Sequence, residues 1–173
     1  KIGTKILHTG NEIDPTTGAV SIPVHHTATF KQAKADGFGP YDYSRSGNPT
    51  RDALEAIIAS LEGGVRGFAF SSGMAAISSV FLLFSPGDHL VACEDVYGGT
   101  YRVLTRLFNR LGIEATLVDF TDIAKIREAI RPNTRALYLE TPSNPLLKIT
   151  DLSAVSALAK ERGLLSIIDN TFM

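Results

Sequence analysis

Short β-rich runs alternate with helical runs over most of this chain, and this alternation constrains the fold more than any other feature. The predicted strands cover residues 66–70, 89–93, 115–118, 136–140 and 165–168. Helical spacing of apolar residues predicts helices over residues 49–62, 74–84, 100–111, 122–130 and 152–162. Such alternation favours parallel strands joined by right-handed crossovers, with helices on both faces of the sheet. We therefore expect an α/β fold in three layers, α/β/α, with a mostly parallel sheet.

Residues 1–47 differ from the rest of the chain. They contain scattered Gly, Pro and Thr without sustained periodicity, so they are predicted to form an irregular arm that contacts a neighbouring subunit. The pattern changes at Asn48, which is expected to cap a helix that begins at Pro49. The predicted organisation is thus an N-terminal arm, residues 1–47, followed by the first part of a larger domain, residues 48–173.

The composition argues against several classes of protein. The 173 residues carry a net charge of −1, which gives no general reason to expect nucleic acid or an anionic membrane as a partner. The single cysteine, Cys93, excludes an internal disulfide, fits a reducing cytoplasm and is expected in the core. The four histidines lack metal-ligand spacing and are expected to be structural, so no metal site is predicted. The longest apolar stretch, residues 77–84, is too short to span a bilayer.

Polar clusters follow the predicted strands at their carboxyl ends, which is where parallel sheets bind ligands. The clusters cover residues 71–74, 94–99, 140–145 and 169–170. Because the carboxyl ends of parallel strands meet at one edge of a sheet, we expect these four clusters to converge on one crevice.

Three residues suggest the chemistry of that crevice. Gly73 lies where a strand turns into a helix, so free N–H groups and the helix dipole favour a phosphate there, although an ordinary Ser cap with a Gly turn is the simpler alternative. Tyr97 offers an aromatic face, unless it is merely packed. Asp169 ends an apolar strand, where an unpaired carboxylate is costly, so it needs a partner such as a protonated ring nitrogen.

A second anion-binding element precedes the first long helix. Tyr43 and Arg45 stand two residues apart, and alternate residues of an extended segment point the same way. A phenol hydroxyl and a forked guanidinium can therefore bind one phosphate together. A surface loop with a solvated Arg is the alternative interpretation of this pair.

A phosphate cradle, an aromatic face, the amide of Asn144 and the carboxylate of Asp169 describe a site for a planar phosphorylated heterocycle with a basic nitrogen. Pyridoxal phosphate is such a molecule. The chain also resembles the pyridoxal-phosphate-dependent enzymes of cysteine and methionine metabolism, which include the cystathionine lyases, cystathionine γ-synthase and methionine γ-lyase. The motifs that carry this resemblance are TGAVSIPVHHTATF, YSRSGNPTR, SSGMAA, DVYGGTYR, ETPSNP and IIDNTF. It implies the fold type I of these enzymes, which is like that of aspartate aminotransferase.

The resemblance implies that the phosphate is held from two subunits. Ser72, Gly73 and Met74 would bind the cofactor phosphate of their own subunit. Tyr43 and Arg45 would bind the phosphate of the neighbouring subunit's cofactor. The active sites would then be shared within a homodimer or a homotetramer.

The resemblance also implies how the cofactor ring is held. Tyr97 would stack on the pyridine ring, and Asn144 would hydrogen-bond its phenolic oxygen. Asp169 would pair with the pyridinium nitrogen and keep it protonated, which the ring needs in order to accept electrons. Tyr97 and Asp169 are therefore the catalytic candidates of this chain.

The family's Schiff-base lysine lies after the Asp-Asn-Thr segment, in a motif that this sequence does not contain. Lys148 and Lys160 are interpreted as solvated residues that flank helices. We therefore expect this chain to be the N-terminal portion of a longer polypeptide, which would hold that lysine and a C-terminal domain.

The resemblance narrows the reaction to chemistry on a small sulfur amino acid, in transsulfuration and methionine biosynthesis. Gly99 stands where methionine γ-lyases typically have Cys, which counts against that activity. The segments 43–51 and 95–102 look like those of the cystathionine lyases. The predicted activity is cystathionine β-lyase, which releases homocysteine, pyruvate and ammonia. Cystathionine γ-lyase and γ-synthase are the alternatives, followed by methionine γ-lyase and a non-catalytic homologue.

Overall fold

The computed structural model describes all 173 residues, which divide into two compact units, Lys1–Ser71 and Ser72–Met173. The first unit contains two helices, α1 (Ile2–His8) and α2 (Pro49–Glu62). Asn48 caps α2 as predicted, because its side-chain oxygen accepts the N–H of Thr50 at 2.9 Å. The helix α1 was not expected, since residues 1–47 were predicted to be irregular throughout.

The strand predicted over residues 66–70 does not form, although these residues are apolar enough for one. The segment lies against α2 instead. Gly67 packs directly on the backbone of Glu55, and the N–H of Ala69 donates to the Glu55 carboxylate at 2.9 Å. A side-chain acceptor therefore takes the place of a neighbouring strand, and Phe68 remains exposed.

The second unit is built on a four-stranded sheet in which every neighbouring pair is parallel. Its strands are β1 (His89–Cys93), β2 (Glu114–Val118), β3 (Thr134–Glu140) and β4 (Leu165–Asp169), in the order β2-β1-β3-β4. All of β1 is buried, and β3 is buried except at Arg135. Continuous burial is typical of the central strands of a parallel sheet that is covered on both faces. The predicted α/β fold with a parallel sheet is thus confirmed.

One helix of the second unit precedes the first strand, and the other three connect successive strands. They are α3 (Gly73–Phe81), α4 (Gly98–Arg102), α5 (Ile123–Ala129) and α6 (Leu152–Arg162). The single helix predicted over residues 100–111 is interrupted, because α4 continues as a π-helix (Val103–Phe108) and a 3₁₀ turn (Asn109–Leu111). The helix predicted to reach residue 84 ends at Phe81. No helix of the chain is long and apolar enough to cross a membrane.

From the order β2-β1-β3-β4, the general preference for right-handed crossovers predicts α4 on one face of the sheet and α5 and α6 on the other. Aromatic side chains fill the layer beneath α3, where the ring of Phe81 meets Tyr138 at 5.2 Å and Phe108 at 5.6 Å, both edge-on. Cys93 is buried in this core as predicted, and burial raises the pKa of its thiol to about 12.

His89 ties three strands together at the start of β1. Its Nδ1 lies 2.8 Å from the hydroxyl of Thr134 on β3, and its Nε2 lies 2.8 Å from the hydroxyl of Thr116 on β2. Burial lowers the pKa of the imidazole, and the charge of Arg131 lowers it further. This histidine is structural, as predicted.

Candidate active site

A cavity of about 370 Å³ lies at the carboxyl ends of β1, β3 and β4, next to the beginning of α3. The candidate residues that line it are Ser72, Gly73, Met74, Tyr97, Asn144 and Asp169. The other lining residues are Ile77, Glu140, Thr171 and Phe172. The four polar clusters that follow the predicted strands therefore meet at one edge of the sheet.

The turn into α3 forms the anion-binding end of the cavity. The hydroxyl oxygen of Ser72 accepts the N–H of Ala75 at 3.1 Å and caps the helix. The N–H groups of Gly73 and Met74 lie in the first turn, where a helix offers them no internal partner. A Cβ added to Gly73 would meet no atom within 4 Å, so the space in front of the turn is open. These donors can bind an anion such as a phosphate.

Tyr97 lies at the start of α4, and its side chain is 45% exposed. Gly99 lies directly against the Tyr97 ring. A Cβ added to Gly99 would lie 2.5 Å from Tyr97 Cε1 and 2.7 Å from the sulfur of Met74. Any larger residue at position 99 would therefore displace the ring or the thioether, so glycine is required for the present position of Tyr97.

Asp169 ends β4 and has hydrogen-bond donors on both carboxylate oxygens. Oδ1 accepts the N–H and the hydroxyl of Thr171 at 3.1 and 2.5 Å. Oδ2 lies 3.4 Å from the hydroxyl of Tyr138, a buried side chain of β3. Burial and then the charge of Asp169 raise the pKa of Tyr138, so this phenol remains a donor. The carboxylate is held in place where it can accept a hydrogen bond from a protonated ring nitrogen.

Asn144 lies on the turn that follows β3, and this turn is closed by Ser143. The N–H of Leu147 donates to the Ser143 carbonyl at 2.9 Å, and the N–H of Lys148 donates to the Ser143 hydroxyl oxygen at 2.9 Å. That hydroxyl in turn donates to Asp95 on the loop after β1. The turn therefore presents the Asn144 amide at the cavity from a fixed backbone.

Glu140 lines the same cavity but was not among the predicted site residues. Its side chain is only 5% exposed, and Oε2 accepts the N–H of Tyr97 at 2.8 Å. Burial raises the pKa of Glu140; the bond from Tyr97 opposes that rise, whereas the charges of Asp169 and Asp95 add to it. A charged residue that ends an otherwise apolar strand was the sequence signal that could have identified it.

Tyr43 and Arg45 belong to the first unit. The guanidinium carbon of Arg45 lies 5.0 Å from the centre of the Tyr43 ring, so the two side chains stand together. They do so on a turn and not on the predicted extended segment, because the N–H groups of Ser46 and Gly47 donate to the Tyr43 carbonyl. Arg51 fixes this loop, because its guanidinium donates to the carbonyls of Ser44, Arg45 and Ser46 at 3.0–3.4 Å. The pair can offer a phenol hydroxyl and a cation to one anion.

Lys148 was interpreted from the sequence as a solvated residue that flanks a helix, whereas in the structure it forms ion pairs. Its ammonium lies 3.2 Å from Glu94 and 3.4 Å from Asp119, and these charges hold it beside the loop after β1. None of the lysines of the second unit lines the cavity.

The residues around the cavity fit pyridoxal phosphate. Its lining offers free N–H groups for a phosphate at the turn into α3, the Tyr97 ring and the Asp169 carboxylate. The volume of about 370 Å³ lies within the range of sites for small molecules. These residues would hold the ring between an aromatic face and a proton acceptor.

The model of the Cys/Met metabolism PLP-dependent enzyme family matches residues 3–173. Cystathionine beta-lyase MetC of Bacillus subtilis is 59% identical over 98% of this chain and 44% of the relative. Cystathionine gamma-lyase of the same organism is 56% identical over 98% of this chain and 45% of the relative. The crystal structure of cystathionine gamma-lyase from Lactobacillus plantarum, complexed with L-serine, superposes with a TM-score of 0.93 and is 53% identical over 99% of this chain and 45% of that one. This chain thus spans less than half the length of these relatives. It belongs to the Cys/Met metabolism family of pyridoxal-phosphate-dependent enzymes.

Proposed function

We propose that the protein containing this chain is a carbon–sulfur lyase that acts as a cystathionine β-lyase. The observation that carries the proposal is the convergence of six candidate residues on one cavity, which is lined by both the phosphate-binding turn at Gly73 and the Asp169 carboxylate. The names of the similar proteins agree with a cystathionine lyase. The proposed substrate is a small sulfur amino acid, cystathionine.

The residues of this chain would bind and orient the cofactor. The turn at Gly73 would receive the phosphate, and Tyr97 would cover one face of the ring and exclude water from it. Asp169 would hold the proton on the ring nitrogen, since its carboxylate is an acceptor that lines the cavity. When bound, pyridoxal phosphate supplies an electron sink for the substrate carbon that loses its proton.

Other groups of the active site are proposed to come from residues that do not line this cavity. Residues 1–47 would form the arm that reaches a neighbouring subunit, where Tyr43 and Arg45 complete the phosphate site of a homodimer or tetramer. Residues 48–173 would form the first part of the cofactor-binding domain. The lysine that carries the cofactor would lie elsewhere in the protein, because no lysine of the second unit lines the cavity. The buried, unpaired thiol of Cys93 fits a cytoplasmic location.

Cystathionine γ-lyase and cystathionine γ-synthase are the alternative activities, because relatives of those names also match this chain. Methionine γ-lyase is disfavoured by Gly99, since a cysteine side chain there would meet Tyr97 and Met74. A non-catalytic homologue that binds the cofactor is the alternative of a different class.

The products formed from cystathionine test the proposal. The full-length protein, loaded with pyridoxal phosphate and given cystathionine, is expected to release pyruvate and homocysteine in equal amounts. Release of 2-oxobutanoate and cysteine would instead assign the γ-lyase. If neither keto acid forms while the protein binds pyridoxal phosphate, the chain belongs to a γ-synthase or to a non-catalytic homologue.

A further inference from the structure

Two buried or half-buried carboxylates link the loops that carry Tyr97 and Asn144, and neither has a role in the function proposed above. We propose that Asp95 and Glu140 are positioning residues, which set the cofactor-facing side chains of Tyr97 and Asn144 relative to one another. The inference rests on the proposed cofactor site, but not on which carbon–sulfur bond is broken.

Asp95 reaches from the loop after β1 to the turn after β3. Its Oδ2 accepts both the hydroxyl of Ser143 and the N–H of Leu146, the latter at 3.1 Å. The two donors lie on either side of Asn144, and they are 48 and 51 residues away from Asp95 in sequence. One carboxylate oxygen therefore holds both flanks of the turn that presents Asn144.

Glu140 makes the opposite connection, from the end of β3 to the loop after β1. Its Oε2 accepts the N–H of Tyr97 at 2.8 Å, across 43 residues of sequence. This N–H begins α4, and a helix leaves its first N–H groups without internal partners. Because Glu140 is 5% exposed, water cannot readily replace it as the acceptor. Glu140 therefore fixes the backbone from which the Tyr97 ring projects.

The two links are reciprocal, since each loop supplies a carboxylate to the backbone of the other. A third link, the ion pair between Lys148 and Glu94, joins the same loops at 3.2 Å. That pair is more exposed, and water and salt screen exposed ion pairs, so it cannot replace the buried links. The relative position of Tyr97 and Asn144 thus depends mainly on Asp95 and Glu140.

The structure suggests substitutions that separate hydrogen bonding from charge. In Asp95→Asn the amide oxygen can still accept from both Ser143 and Leu146, because both donors use one oxygen. In Glu140→Gln the amide oxygen can still accept from Tyr97. Asp95→Ala and Glu140→Ala remove these acceptors altogether. Glu114→Ala is the matched control, since Glu114 starts β2 at the other end of the sheet and forms an exposed ion pair with Arg131.

The experiment measures pyridoxal phosphate affinity of the full-length variants by equilibrium dialysis, together with the circular dichroism of the bound cofactor. Partners that orient binding residues are typically worth about 10–100-fold in affinity, so each alanine variant should lose about that much and alter the cofactor's dichroic band. The Asn and Gln variants keep the acceptors and the control lies away from the site, so they should stay within about threefold of wild type.

Three outcomes would overturn the inference. One is wild-type affinity and dichroism in both alanine variants. Another is a loss in Asp95→Asn or Glu140→Gln as large as that in the alanine variants, which would assign the effect to charge. If an alanine variant does not fold, Ser143→Ala removes the hydroxyl donor to Asp95 together with the acceptor of the Lys148 N–H. Unchanged affinity and dichroism in Ser143→Ala would be the third outcome. Loss of affinity in the alanine variants, with no lyase product from wild type, would contradict the proposed reaction and support the positioning role.

Discussion

The two units of this chain are built in different ways. In Ser72–Met173, buried aliphatic and aromatic side chains of β1, β3 and α6 form a continuous core. In Lys1–Ser71 the only buried residue is Asn48, a polar helix cap, and neither helix contains a buried side chain. Hydrogen bonds to main-chain carbonyls, such as those from Arg51, organise the first unit instead.

The difference indicates which unit needs contact with another surface to cover its apolar side chains. The second unit buries its own apolar side chains and places the candidate cofactor-binding residues around one cavity. The first unit exposes apolar side chains on α2, among them Leu54 at 50% and Ile58 at 48%. Contiguous exposed apolar surface is typical of interaction sites. The exposed apolar side chains of α2, which follows the arm of residues 1–47, agree with the proposal that this arm contacts a neighbouring subunit.

The largest expected effect is on enzyme activity, which one change in each unit should lower separately and a mixed dimer should partly restore. In the full-length protein, Asp169→Asn and Arg45→Ala should each lower activity by roughly 10²–10³-fold, because each removes a charge that is proposed to bind the cofactor. In a mixed dimer of the two variants, one site would contain both changes and the other neither. Activity should therefore recover toward half of wild type per mixed dimer.

The control for this experiment is a mixture of Asp169→Asn with Asp169→Asn subunits carrying a different purification tag, which should recover nothing. Subunit exchange is verified by co-purification of the two tags. If exchange occurs and the mixed dimer stays inactive, Arg45 serves its own subunit, and the functional contrast between the two units fails.

A smaller effect distinguishes the two units by stability. Leu137 of β3 is fully buried, so Leu137→Ala should lower the free energy of unfolding by about 2–5 kcal/mol. The same change at Leu54 of α2, in subunits dissociated by dilution, should alter it by about 0.5 kcal/mol or less. Urea unfolding measures both. Equal losses would mean that Leu54 is covered in the subunit, contrary to the exposure described above.

The smallest effect concerns charge on the surface of the second unit. Glu161 of α6 accepts from Arg127 and Arg162, and these bonds lower the pKa of its carboxyl to about 2. A lowered pKa stabilises the fold above the unfolded pKa, about 4.5, and this contribution is lost as the pH falls toward 2. In Glu161→Gln, thermal unfolding should depend less on pH between these values. Glu128→Gln, which removes an exposed carboxylate from α5, should follow wild type.

The sequence predicted the elements whose signals are local. The apolar run of β1 was predicted with the bounds that the structure has, and Asn48 with Pro49 predicted the start of α2. The strand over residues 66–70 was wrong because a strand needs a neighbour, and here the Glu55 carboxylate satisfies the segment instead. The change from α4 to a π-helix has no marker in the apolar spacing of residues 100–111.

The candidate site also divides into residues that have a local sequence signal and contacts that have none. Tyr97, Asn144 and Asp169 could be predicted because each lies at or soon after the end of a strand, and parallel strands end together. The links formed by Asp95 and Glu140 could not be predicted, since their partners are more than 40 residues away and become neighbours only in the folded sheet. Pairing between the loops is a tertiary property, and a single sequence shows only which carboxylates are available for it.

The register of β3 and β4 has a consequence for how this sequence can change in length. Glu140 pairs with Asp169, so the last residues of both strands stand side by side. Side-chain direction alternates along a strand, and one inserted residue between Leu165 and Asp169 would turn that carboxylate to the opposite face of the sheet. An insertion at Gly163, the exposed left-handed end of α6, would only lengthen a turn. Natural variation in length should therefore occur at such helix ends and stop where the strands begin.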